Sequence, residues 1–172
     1  MNLLRARLQA LDAAVGRLEA LALGLLMALL TVVTFGQVVF RYGLNQPLFW
    51  SDEAARYVFV WTALIGAAAC VRARVHYAMD ALVQRLPPTW RRLCAGLAWA
   101  AIAGFVAVLL IYGWRDTVNA ARQEALSLPM RMGWAYAAMP VGAALMLLHL
   151  LVAAIAGAPE PDAIESGPAE PR

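Results

Sequence analysis

His76 and Asp80 stand four residues apart, so one helical turn would put an imidazole and a carboxylate on a single face. Such a pair could begin a metal site, but two ligands are too few and no other His or Cys lies close in sequence. Hydrogen bonding that holds their own segment is the chemistry this pair supports. A second constellation is Asp52, Glu53 and Arg56. Arg56 follows Asp52 by four and Glu53 by three, so either carboxylate can pair with it on one helix face. The cysteines, Cys70 and Cys94, have no CxxC spacing, and neither a disulfide framework nor a zinc site is credible. No P-loop, HExxH or GxSxG motif occurs, so no enzymatic machinery and no cofactor site is legible.

The elements that must position these groups are apolar. Of the 172 residues, 63% are hydrophobic, and the mean hydropathy is +0.65. Ordinary soluble domains are nearer half apolar. All 14 basic residues are arginine. They fall in short stretches between apolar runs rather than in a patch with interleaved aromatics, which argues against nucleic acid as a partner. The composition is that of an integral membrane protein.

A hydrocarbon core about 30 Å thick needs roughly 20 helical residues to cross. Four runs meet that length: about 20–40, 52–71, 90–114 and 132–156. The first follows Arg5, Arg7 and Arg17 but is too long for a signal peptide and has no small-residue cleavage site after it, so it reads as a retained helix. With four spans, the N-terminus, the 72–91 stretch and the C-terminus share one side. That side carries nine arginines against five on the other, which places both termini in the cytoplasm. Trp90, Trp114 and Trp134 fall at expected span ends, as interfacial anchors do.

Two amphipathic segments flank the spans. In residues 1–19, Leu4, Leu8, Leu11, Val15 and Leu18 recur at spacings of four and three, with Arg5, Gln9, Asp12 and Glu19 on other faces. In 76–86, Met79, Leu82, Val83 and Leu86 form one stripe. Both read as helices lying along the lipid headgroups, with packing on a partner as the alternative. Pro87 and Pro88 break the chain before the third span, which Thr89 can cap. Residues 157–172 are Pro-rich and acidic and read as a disordered tail. The fold class is thus all-α: four transmembrane helices, 20–156, with interfacial helices at 1–19 and 76–86.

Within the spans, Gln37 is expected to make an interhelical hydrogen bond, and Gly66 and Gly142 to mark close helix approaches. Pro140 should kink the fourth span and free backbone carbonyls for a neighbour to satisfy. Between the first two spans, Asn45, Gln46 and Pro47 make a turn, and Ser51 can cap the second helix beside Asp52 and Glu53. Arg41, Glu53 and Arg56 read either as a charge-paired helix start at an interface or as a network with a second membrane subunit, and both can hold. No acidic residue sits at the centre of an expected span, so an ion relay inside this chain is not expected.

In their order, these residues resemble the small membrane subunit of tripartite ATP-independent periplasmic (TRAP) transporters, the DctQ-like family. The resemblance rests on QVVFRY (37–42), PLFWSDEAARY (47–57), the W-x4-GAA run from Trp61 to Ala68, the RxRVHxxxD arrangement from Arg72 to Asp80, and SLPMRMGWAYAAMPVG (127–142). It implies a membrane scaffold for a large, many-helix transport subunit in the bacterial inner membrane. The resemblance further implies a periplasmic substrate-binding protein that delivers the solute, an organic acid anion, and uptake driven by sodium. Arg41, Trp50, Glu53, Arg56, His76 and Asp80 match positions the family emphasises, and the resemblance makes them structural or subunit-interface residues, not ligands. Rival readings are a stand-alone quinone-linked redox protein, in which Cys70 and Cys94 would matter, or a small pore or chaperone.

Overall fold

The structure, a computed structural model, describes residues 2–73 and 87–156. His76, Asp80, the 76–86 stripe and the 157–172 tail lie outside the described residues. The described residues are mostly helical: α1 (Asn2–Tyr42), α2 (Phe49–Arg72), α3 (Pro88–Ala120), a short α4 (Gly133–Tyr136) and α5 (Ala138–Ala156). Four helical stretches are long and apolar enough to cross a membrane: Leu3–Gly43, Phe49–Arg72, Gly96–Ala120 and Gly133–Ile155.

The fourth span is the centre of the bundle. Of its apolar window 44% is buried, against 6% and 11% in the others, because α5 meets α1, α2 and α3. The core on it is small, built from Ala68 of α2, Val106 of α3, and Ala143, Met146 and Leu150 of α5. Outward, α1 and α3 present Val32, Phe35, Phe105 and Ile111, the apolar surface that lipid requires. With lipid as apolar as leucine, close backbone approach rather than water exclusion holds such helices together. Gly142 supplies it: a Cβ there would stand 2.9 Å from Leu64 Cβ. So does Gly113, where a Cβ would meet Met139 Cβ at 2.7 Å. Gly66 is looser, with Leu23 Cδ2 at 3.8 Å.

Several boundaries differ from the sequence expectation. The stretch 1–19 is continuous with the first span rather than a helix of its own. α1 is one unbroken helix of 41 residues, since no proline intervenes and its Ala, Leu, Arg and Glu residues favour the helix throughout. The third helix, α3, runs six residues past Trp114 to Ala120 and begins at Pro88, so Thr89 lies inside its first turn instead of preceding it. Pro is well suited to that first position because its missing N–H would have no intrahelical partner.

Pro140 acts as expected, one turn upstream of itself. The fourth span is interrupted at Ala137, between α4 and α5, where Pro140 has no N–H to offer the Tyr136 carbonyl. The indole N–H of Trp61, on α2, donates to the neighbouring Trp134 carbonyl at 3.1 Å.

Candidate functional site

The first polar site is built where α1 turns into α2. The Gly43 N–H donates to the Val39 carbonyl at 2.7 Å and the Gln46 N–H to the Phe40 carbonyl at 3.0 Å, closing the end of α1. Asn45 carries the reversal with φ 53°, a left-handed conformation that asparagine tolerates better than most residues. The helix then starts earlier than expected. Leu48, not Ser51, is the residue before the first turn of α2. Ser51 is fully buried, and its hydroxyl donates back to the Leu48 carbonyl at 2.6 Å.

The expected pairing of Arg56 with an acid of its own helix does not form among the described residues; both carboxylates have other partners. Asp52 Oδ1 accepts from the Gln37 amide at 2.6 Å, the interhelical bond expected of Gln37. Glu53, buried at 8% exposure, reaches a different part of the chain. Its Oε1 accepts from the Tyr57 hydroxyl at 2.5 Å and the Leu126 N–H at 3.0 Å, and its Oε2 from the Ser127 N–H at 2.6 Å. A carboxylate that collects three donors is held more firmly than one in a solvated ion pair.

The loop that supplies those amides, 121–132, is itself pinned. Ala125 N–H donates to the Met130 carbonyl at 2.9 Å, and Met132 N–H to the Gln123 carbonyl at 3.0 Å. Between α2 and this loop a concavity of about 550 Å³ opens, lined by Phe49, Glu53, Arg56, Tyr57, Leu126 and Met139 among others. Its floor is apolar, and with Glu53 and Asp52 occupied by donors, Arg56 brings the exposed cationic group to its wall. Leu126 stands almost wholly exposed at the loop tip.

Of the six residues singled out in sequence, Glu53 and Arg56 share this concavity. Trp50 is partly exposed nearby, on the first turn of α2. Arg41 is exposed at the end of α1, with its guanidinium carbon 5.9 Å from the Tyr42 ring centroid. His76 and Asp80 fall outside the described residues. Sequence reasoning missed Tyr57, which the i, i+4 spacing from Glu53 could have revealed, and the Leu126 and Ser127 amides, for which no local signal exists.

A second polar site lies at the opposite end of α2. Arg72, its last residue, places Nε 3.0 Å from Asp12 Oδ2. Asp12 Oδ1 is 2.6 Å from His149 Nδ1, and His149 Nε2 is 2.9 Å from Glu19 Oε1. Asp12, Glu19 and His149 are all buried, at 2%, 4% and 3% exposure. Asp12 and Glu19, on faces other than the leucine stripe, are thus turned by α1 onto α5. Gly16 makes room, since the Arg72 guanidinium crosses α1 where a Cβ at Gly16 would stand. Among the described residues, no group of three or more His, Cys, Asp or Glu is arranged to hold a metal ion.

Comparison with known proteins follows the same outline. The family described as "Tripartite ATP-independent periplasmic transporters, DctQ component" matches residues 30–159. The chain is 32% identical over 97 residues to the C4-dicarboxylate TRAP transporter small permease protein DctQ of Vibrio cholerae, covering 56% of this chain and 42% of that protein. It is 27% identical over 133 residues to the sialic acid TRAP transporter small permease protein SiaQ of the same organism, covering 77% and 76%. The sialic acid TRAP transporter permease protein SiaT of Haemophilus influenzae is 24% identical over 139 residues, which are 81% of this chain but 23% of SiaT. The match thus spans less than half of the DctQ relative and about three-quarters of SiaQ.

Proposed function

Because the chain belongs to the DctQ component family of tripartite ATP-independent periplasmic transporters, we propose that it acts as the fixed membrane scaffold of such a transporter, carrying no solute itself. As a family member with four membrane-crossing helices, it is a multi-pass protein of the bacterial inner membrane. The single observation behind the scaffold reading is where its polar contacts lie. At one end Gln37–Asp52 and Glu53–Leu126/Ser127 tie α1, α2 and the 121–132 loop. At the other end Arg72, Asp12, His149 and Glu19 tie α2, α1 and α5. Between them the contact surface is small and apolar. A bundle clamped at both ends resists shear, which suits the stationary part of a transporter and not a moving one.

The partner on this reading is a large membrane permease subunit. The match to SiaT supports it, since the shared segment is under a quarter of that permease and leaves most of its length for other work. A periplasmic binding protein completes the assembly, and lipid covers the remaining flanks. The cargo is an organic acid anion taken up with sodium; the relatives' names, C4-dicarboxylate and sialic acid, are both carboxylates. The concavity lined by Phe49, Arg56 and Leu126, together with the exposed Trp50 on the first turn of α2 and Arg41 at the end of α1, is the surface offered to the large subunit, as aromatic and arginine anchors favour interfaces.

Deleting the chain should abolish sodium-driven uptake by the assembled system, and the purified chain should release no substrate-dependent heat in calorimetry. Full uptake by the large subunit and binding protein alone would refute the requirement. Saturable solute binding by this chain alone would refute the scaffold.

A further inference from the structure

His149 is flanked by carboxylates on both ring nitrogens, with Asp12 Oδ1 2.6 Å from Nδ1 and Glu19 Oε1 2.9 Å from Nε2. A neutral imidazole has one N–H and one lone pair. With both acids ionised, that lone pair would face a carboxylate oxygen at hydrogen-bond distance, which is repulsive. The contact becomes a hydrogen bond only if one further proton is present, on the ring or on one of the carboxyl groups.

Among the described residues, the charge balance points to the same proton. Facing His149 are Asp12 and Glu19 from α1, and Arg72 of α2 reaches it through Asp12. The side chains that α3 packs on the adjoining core, Trp99, Ile102, Leu109 and Leu110, do not titrate. With Arg72 positive, two ionised acids and a neutral ring would bury one net negative charge. Such a charge away from water is costly unless paired. A third observation agrees: Glu19 Oε2 is buried and has no hydrogen-bond partner among the described residues. A fully ionised carboxylate would leave that oxygen charged and unsolvated.

We propose that Asp12, His149 and Glu19 form a proton-binding site that holds one proton beyond those of a neutral histidine and two carboxylates, and that this proton locks the N-terminal half of α1 onto α5 and α2. The proton is shared along the two short contacts, and it balances the charges of Asp12, Glu19, His149 and Arg72. When α1 separates from α5, the three groups return to water as two carboxylates and an ordinary histidine, and the proton leaves at neutral or alkaline pH. Docked α1 therefore binds one proton more than undocked α1. By linkage, docking weakens as pH rises above about 6.5, where a free histidine gives up its proton, by up to ten-fold in its equilibrium per pH unit.

The test reads the proton directly in the full chain reconstituted in lipid nanodiscs. Histidine labelled with ¹⁵N, in a His76→Asn background that leaves His149 as the remaining histidine, reports which ring nitrogens carry hydrogen at pH 7. Infrared spectroscopy reports a protonated carboxyl, assigned by its loss in Glu19→Gln or Asp12→Asn. Two protonated ring nitrogens, or one together with a protonated carboxyl band, support the site. A singly protonated ring beside two ionised carboxylates overturns it. Hydrogen exchange of α1 amides 9–20, corrected for intrinsic rates, should also rise between pH 6 and pH 9 in the parent. In Glu19→Gln that rise should vanish, because the amide can donate to the ring without a further proton. An equal rise in both proteins overturns the lock.

Discussion

Glu53, on the first turns of α2, accepts the backbone N–H of Ser127 at 2.6 Å across 74 positions of sequence. One carboxylate thereby fixes a loop that has no regular structure beyond a single bridge between Glu124 and Arg131. Glu53→Ala removes the acceptor for two backbone amides and the Tyr57 hydroxyl at once, whereas Glu53→Gln keeps one acceptor oxygen. Thermal unfolding in detergent should rank the losses Glu53→Ala above Glu53→Gln. Arg56→Ala should stay within about 0.5 kcal/mol of the parent, as exposed substitutions usually do. A loss at Arg56 matching that at Glu53 would restore the ion pair that the structure replaces.

Gly16 tests the crossing of Arg72 over α1. A methyl group there would meet the guanidinium carbon at 2.5 Å. The arginine is flexible enough to move aside, but it would then leave Asp12. Gly16→Ala and Arg72→Gln should therefore disturb the same contact, and the double variant should be less unstable than the two losses summed, with a coupling of about 0.5–3 kcal/mol. Additive losses would mean that the crossing does not hold the pair.

Gly142 sets the distance between α5 and α2. Gly142→Ala places a methyl 2.9 Å from Leu64 Cβ and 3.3 Å from the Leu64 carbonyl. Forcing these helices apart should cost about 1–3 kcal/mol in unfolding measurements. Leu64→Ala should give no rescue, because the atoms in conflict are its Cβ and backbone, which alanine retains. Recovery of the double variant would show that the leucine branch, not the backbone approach, is limiting.

Orientation is tested at the ends of the bundle. On the arginine distribution, the 43–48 turn is expected outside and both termini inside. A cysteine replacing Asn45, in a background lacking Cys70 and Cys94, should react with a membrane-impermeant thiol reagent in spheroplasts. A cysteine replacing Gln84 should react only after lysis. The reverse pattern would invert the protein in the membrane.

The family and the four spans were legible because they rest on local properties. Twenty or so apolar residues specify a crossing by their own transfer energy, whichever neighbours they meet. The turn at Asn45, the break before Pro140 and the bond sought by Gln37 are local in the same sense. Each follows from what one residue can or cannot do with its own backbone, or from a polar group with little else to bond in lipid.

The partners were decided elsewhere. Asp12 and Glu19 lie off the leucine stripe of an amphipathic segment, and that pattern gives them no partner. A period of 3.6 records which side of a helix is polar and is silent about which helix covers that side. Only the packing of α5 against α1 shows the acids buried, with His149 lying 137 and 130 positions away. Likewise, Arg56 was the nearest cation to Glu53 in sequence, yet the carboxylate is claimed by amides 73 and 74 positions on. Backbone donors carry no side-chain signature, so no pattern of residues announces them. The sequence determined where the chain crosses the membrane, through local transfer energies. The tertiary structure decided which buried charges meet, because that depends on the order in which four apolar helices pack.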